Sequence, residues 1–196
     1  MNIDLSFKDN LDVKVLDKLL WLSSPAFKKN QHTYDVLYPE AVAIGKETAE
    51  KHPFEPDKIM VTLKNFNNDD RAYYSPDEKK VFLNKLFIAE MTDYFKSQSL
   101  FYFSEDMITS TLIHHEYFHH IEEYVTVPTD LLLQNTKKTF VPPIYRDIAA
   151  FSFTNTSIPN MVCQLIDLFW LKKKYPKKYN EIISNYSIIV TNQKIL

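Results

Sequence analysis

The chain has 196 residues, 45% of them hydrophobic, and a formal net charge of −2, so it is long enough for one domain with a substantial core and carries no global attraction to nucleic acid. A single cysteine, Cys163, rules out an intrachain disulfide and a cysteine-rich structural zinc site. A single glycine, Gly45, rules out a P-loop, a dinucleotide-binding glycine fingerprint and a G-x-S-x-G nucleophile elbow, and with them NTPase, Rossmann oxidoreductase and α/β-hydrolase chemistry.

Leu11, Val15, Leu16, Leu19, Leu20 and Leu22 repeat at helical spacing and stop at Ser23-Ser24-Pro25, which predicts a first helix. A second helical region is expected from Pro25 towards Lys51, interrupted near Tyr38-Pro39, with Pro39 opening a new helix that contains Ala41 to Ala49. His32 and His52 stand there without partner motifs and read as surface histidines. Between Pro56 and Asn84 the period becomes strand-like. Strands at 59–66, 71–74 and 80–84, with turns at 67–70 and 75–78, predict a small antiparallel sheet.

A short helix at 88–96 and an aromatic stretch at 100–103 follow, then a helix with Ser104 as N-cap and Glu105 and Asp106 at its positive end, running to about Tyr124. Beyond it the reading is helical: one or two turns at 130–136, then helices at 143–153, 160–175 and 177–189. The fold class is α+β. The absence of repeats or linkers predicts a single domain over 1–196, with N-terminal helices at 1–55, the sheet and motif helix at 56–125 and a helical part at 126–196. The basic cluster Lys172, Lys173, Lys174, Lys177 and Lys178 reads as a solvated helix end. No signal peptide or bilayer-spanning run is visible, which predicts a soluble, cytoplasmic protein with no membrane and no nucleic-acid partner.

Residues 115–119 read His-Glu-Tyr-Phe-His, the H-E-x-x-H zinc-peptidase signature. Positions four apart on a helix lie one above the other, so the imidazoles of His115 and His119 can converge on one metal ion. Glu116 then sits beside the ion, placed to take a proton from water whose pKa zinc lowers to about 7. Catalytic zinc needs a third protein ligand. The acids C-terminal to His119 are Glu122, Glu123, Asp130, Asp147, Asp167 and Glu181. Glu123 lies a turn beyond His119, about 6 Å further along the axis, and His114 and His120 point off the shared face. Glu122 and Val125 stand where a metzincin has Gly and a third ligand, which rejects that subclass. Asp147 follows His119 by 147 − 119 = 28 residues, room for a turn and an antiparallel helix opened by Pro142-Pro143.

The stretch Tyr145 to Pro159, with Asp147, Ala150, Phe153, Ile158 and Pro159 in register, resembles the second motif of the ImmA/IrrE-type metallopeptidases, the family of phage-repressor-cleaving and radiation-response regulators. Lys80-Val-Phe-Leu-Asn84 and Thr111 to His120 are similar to that family's strand ending in Asn and its active-site helix. The resemblance covers roughly residues 56 to 160, with Asp147 where the family usually has Glu and Tyr117-Phe118 in place of small residues. It implies a gluzincin-like zinc metallopeptidase, with His115, His119 and Asp147 on the metal, Glu116 as general base and a regulatory protein such as a repressor as target. The expected partner is thus a protein or peptide substrate. Tyr145, two residues before Asp147, is the candidate donor to the transition-state oxyanion. The rival reading is a catalytically silent metal-binding or interaction module. It leaves unexplained why a glutamate stands beside the metal at position 116.

Overall fold

A computed structural model describes residues 13–22, 34–66, 68–124, 143–158 and 162–193. Among these are seven helices and three strands, an α+β arrangement. Helix α1 (Val13–Leu22) and α2 (Tyr34–Lys51) precede a short 3-10 turn (Pro56–Lys58) and strands β1 (Met60–Lys64), β2 (Ala72–Ser75) and β3 (Lys80–Asn84). Helices α3 (Lys85–Ser97), α4 (Glu105–Tyr124), α5 (Pro143–Ser157), α6 (Val162–Lys174) and α7 (Pro176–Gln193) follow. No helix among the described residues is long and apolar enough to cross a membrane. The turns expected at 130–136 lie outside the described residues.

The sheet is mixed, which corrects the antiparallel expectation. β2 and β3 form the expected antiparallel hairpin, whose turn is closed by Lys79 at φ 53. β1 lies on the other side of β3 and runs parallel to it, Met60 opposite Lys80 and Lys64 opposite Asn84. Burial accounts for the order. Val81, Phe82, Leu83 and Asn84 are all buried, so β3 takes the centre, while every residue of β1 is exposed. The 80 − 64 − 1 = 15 residues between β1 and β3 are enough for the crossover a parallel pair requires.

Asn84 ties strand to helix. Its side-chain oxygen accepts from the Leu86 and Phe87 N–H groups at 3.1 and 3.3 Å and caps α3. Its amide donates to the Asp70 carbonyl at 2.9 Å, and its main-chain N–H to the Arg71 carbonyl at 2.9 Å. This cap explains why α3 starts at Lys85, three residues before the expected boundary. Ser104 caps α4 as expected, its hydroxyl accepting from Met107 N–H at 3.2 Å.

Gly45 is where α2 meets α5 backbone to backbone. A Cβ at this position would lie 2.2 Å from the Ala149 carbonyl oxygen and 2.8 Å from the Phe153 nitrogen. Helix α2 runs unbroken through Pro39, whose ring sits on the exposed face, so the expected break at Tyr38-Pro39 is absent. The packing gained along α5 outweighs the hydrogen bond that proline removes. The main core joins α2 to α6 and the inner sheet face, and a smaller one joins α1, α6 and α7 through Leu16, Leu19, Leu168 and Tyr186.

Candidate metal centre

Helix α4 carries the histidines and α5, packed against it, carries the acid. His115 Nε2 lies 3.9 Å and His119 Nε2 3.6 Å from Asp147 Oδ1. These three donor atoms lie within 4.8 Å of one another and form a group that could hold a metal ion. Tetrahedral zinc with ligands at about 2.0–2.2 Å sets its donors roughly 3.3 Å apart, so the group fits such an ion after a small inward movement. The side chains are also held in place. Phe151, one turn after Asp147, packs its ring 5.0 Å from that of His115.

The other nitrogen of His119 is bound to Glu122. Nδ1 lies 2.7 Å from Glu122 Oε2, and Arg146 pairs with the same carboxylate through Nε at 3.2 Å and Nη2 at 3.0 Å. Glu122 is therefore nearer to His119 than Asp147 is, but it touches the nitrogen that faces away from the common point. A carboxylate there fixes the tautomer and turns Nε2 towards the metal position. In the sequence Glu122 stands among the candidate ligands, whereas here it supports a ligand. Its place three residues after His119, on one helix face, was the signal for this supporting role.

The electrostatics agree with a site that holds one positive charge. Burial opposes charge on His119, but hydrogen bonds to Asp147 and Glu122 outweigh it and hold the imidazolium up to about 10. Burial, then the charges of His119 and Arg71, push His115 well below its ordinary value. Burial drives the Glu116 carboxyl up to about 7, against the opposing pull of His119 and of a hydrogen bond from the Tyr74 main-chain N–H.

The cleft around these groups has a volume of about 400 Å³, and Arg71, Ala72, Leu112, Phe151, Cys163 and Asp167 are among its lining residues. Its edge is β2. Because Asn84 N–H bonds the Arg71 carbonyl, alternation in the antiparallel ladder turns the main-chain groups of Ala72 and Tyr74 away from β3 and towards the cleft. The Tyr74 N–H to Glu116 bond has that direction. No strand among the described residues pairs with this edge.

Tyr145 does not belong to the site. It is fully buried in the main core and lines neither the cleft nor its continuation past Tyr74, Pro76 and Arg146. Two residues along a helix correspond to a rotation of about 200°, so Asp147 facing the cleft sends Tyr145 the other way. His114 stacks on Phe54 with ring centroids 3.8 Å apart, and His120 Nδ1 meets the Tyr74 hydroxyl at 3.0 Å. Both point off the shared face, as their spacing indicates. Arg71 and Asp167 were missed as a pair, because 167 − 71 = 96 residues separate them and no local pattern links them. Compared with protein-family models, curated proteins and solved structures, the chain matches none.

Proposed function

We propose that this chain is a zinc-dependent metallopeptidase of the H-E-x-x-H, gluzincin-like kind, cleaving an extended segment of a protein substrate. The observation that carries the reading is the approach of His115 Nε2 and His119 Nε2 to Asp147 Oδ1, with the buried carboxyl of Glu116 beside them. When bound there, zinc supplies Lewis acidity to the scissile carbonyl and acidity to a water molecule. The chain's residues do the rest. Glu116, held near neutrality by burial, accepts a proton from the attacking water and delivers it to the leaving amine. Glu122 and Arg146 keep the His119 ring oriented. The outward main-chain groups of Ala72 and the Tyr74 carbonyl offer a strand edge on which a substrate backbone can pair, while the Tyr74 N–H stays on Glu116.

The likeness to the ImmA/IrrE motifs favours a regulatory protein as target. The test compares proteins cleaved in cells carrying the wild-type chain with those carrying Glu116→Gln. We expect the variant to keep its fold and metal and to lose cleavage by about a thousandfold. Identical cleavage patterns would return the chain to the class of metal-binding interaction modules.

A further inference from the structure

Helix α6 is buried at every position from Val162 to Trp170, and Asp167 lies within that run. A carboxylate there requires a partner, because an unpaired charge in such surroundings is strongly disfavoured. Arg71, the residue before β2, supplies it: Nη1 pairs with Asp167 Oδ1. Both residues line the cleft that contains the metal group. Neither side chain has a further hydrogen-bond partner among the described residues, so the other guanidinium N–H groups and Asp167 Oδ2 remain uncommitted. The Arg71 side chain is 33% exposed and that of Asp167 11%, so the guanidinium is reachable from the cleft while the carboxylate is mostly shielded from water. Leu112, Phe151 and Ile166 provide apolar walls.

The charges limit what can dock on this floor. A carboxylate would meet Arg71 but also Asp167, with Asp69 and Asp70 lining the same cavity. An ammonium would meet Asp167 but also the guanidinium. An apolar group would cover the remaining Arg71 N–H groups and Asp167 Oδ2 without giving them a partner. A main-chain peptide is trans, with its C=O and N–H pointing in opposite directions, so a single unit cannot reach both members of a side-by-side pair. A primary carboxamide carries its oxygen and NH₂ on one carbon and presents an acceptor beside a donor, the complement of an arginine N–H beside a carboxylate oxygen.

We propose that the Arg71–Asp167 pair recognises the primary carboxamide of an asparagine or glutamine side chain in the substrate, Arg71 donating to its oxygen and Asp167 accepting from its nitrogen. The inference rests on the metallopeptidase reading only in placing a peptide in this cleft. An extended peptide paired antiparallel to β2 runs towards Arg71 in its C-terminal direction, so the recognised residue lies downstream of the scissile bond.

The test uses the full-length Glu116→Gln chain loaded with zinc, which binds without cutting. The probes are pentapeptide pools capped as acetyl and N-methylamide, with Gln, Asn, Glu, Lys or Leu at the centre and Ala, Ser or Phe elsewhere. By fluorescence anisotropy the Gln or Asn pool should bind about tenfold tighter than the Glu, Lys and Leu pools. In the Arg71→Met, Asp167→Leu double variant, which exchanges the pair for apolar groups of similar size, that preference should fall to within about twofold. Equal binding of all pools, tightest binding of the Glu pool, no measurable binding, or a preference that survives in the double variant would overturn the proposal. The pool series needs no change at the pair, so it decides even if the double variant fails to fold. Wild-type cleavage of all pools without residue preference would remove this inference and leave the peptidase reading standing. A Gln preference in binding with no wild-type cleavage would do the reverse.

Discussion

Helix α5 separates two cavities. On one side Asp147 and Phe151 help line a space of about 400 Å³ with His115, Glu116 and His119. On the other, Ile148, Ser152 and Asn155 line a space of about 680 Å³ with Asp17, Tyr38 and Gln164. The larger cavity is also polar, but several of its groups are held by protein partners. The Tyr38 hydroxyl donates to Asp17 at 2.9 Å, the Ser152 hydroxyl to the Val42 carbonyl at 2.8 Å, and the Asn155 amide to Gln164 at 3.4 Å. In the smaller cavity three donor atoms face one point, and the titration of His115 and His119 is driven in opposite directions. Convergence rather than volume marks the smaller cavity as a candidate metal site.

The largest expected difference between the two sides is in metal binding. His115→Ala, His119→Ala or Asp147→Ala should each weaken zinc affinity by more than about a hundredfold, beyond the range found for supporting residues. Asn155→Ala, on the same helix but lining the other cavity, should leave it within about twofold. Competition with a chromogenic chelator measures both, and an equal effect from both sides would erase the distinction.

The partition depends on α5 lying in backbone contact with α2. Gly45→Ala forces a methyl group against the Ala149 carbonyl and should destabilise the fold by about 3 kcal/mol in denaturant unfolding. A neutral substitution would mean that the two helices are not locked together at this crossing. A smaller effect is expected at Glu122→Gln, which keeps the shape but weakens the orienting bond to His119 Nδ1. Zinc affinity should fall roughly tenfold to a hundredfold while the fold is retained.

Cys163 probes how dry the cleft wall is. Burial pushes its thiol up to about 12, so the fold favours the neutral form. The associated stability is present below the unfolded thiol value of about 8.5 and is lost as pH rises towards 12. At pH 8 a thiol reagent should react with the native chain roughly a thousandfold more slowly than with the unfolded one. Comparable rates would show that solvent reaches this wall.

Local pattern carried much of this account. The motif helix from its Ser104 cap to Tyr124 and strand β3 at Lys80–Asn84 are legible because caps, periodicity and turns act over a few residues. The meeting of His115, His119 and Asp147 was anticipated from helical spacing and family likeness. What the sequence hid depends on partners far along the chain. The parallel pairing of β1 with β3 follows from which strand is buried, and alternation alone does not encode strand order. Pro39 was read as a helix start, because the packing that carries α2 through it comes from α5, over a hundred residues later. Tyr145 was judged by its nearness to Asp147 in sequence, where helical rotation places it on the opposite side.

Anomalous diffraction at the zinc edge from crystals of the zinc-loaded chain would locate the ion among His115, His119 and Asp147. We expect one peak per chain, about 2.0–2.2 Å from His115 Nε2, His119 Nε2 and an Asp147 carboxylate oxygen, with Glu122 still on His119 Nδ1. A peak elsewhere, or an ion held by Glu122 in place of Asp147, would contradict it.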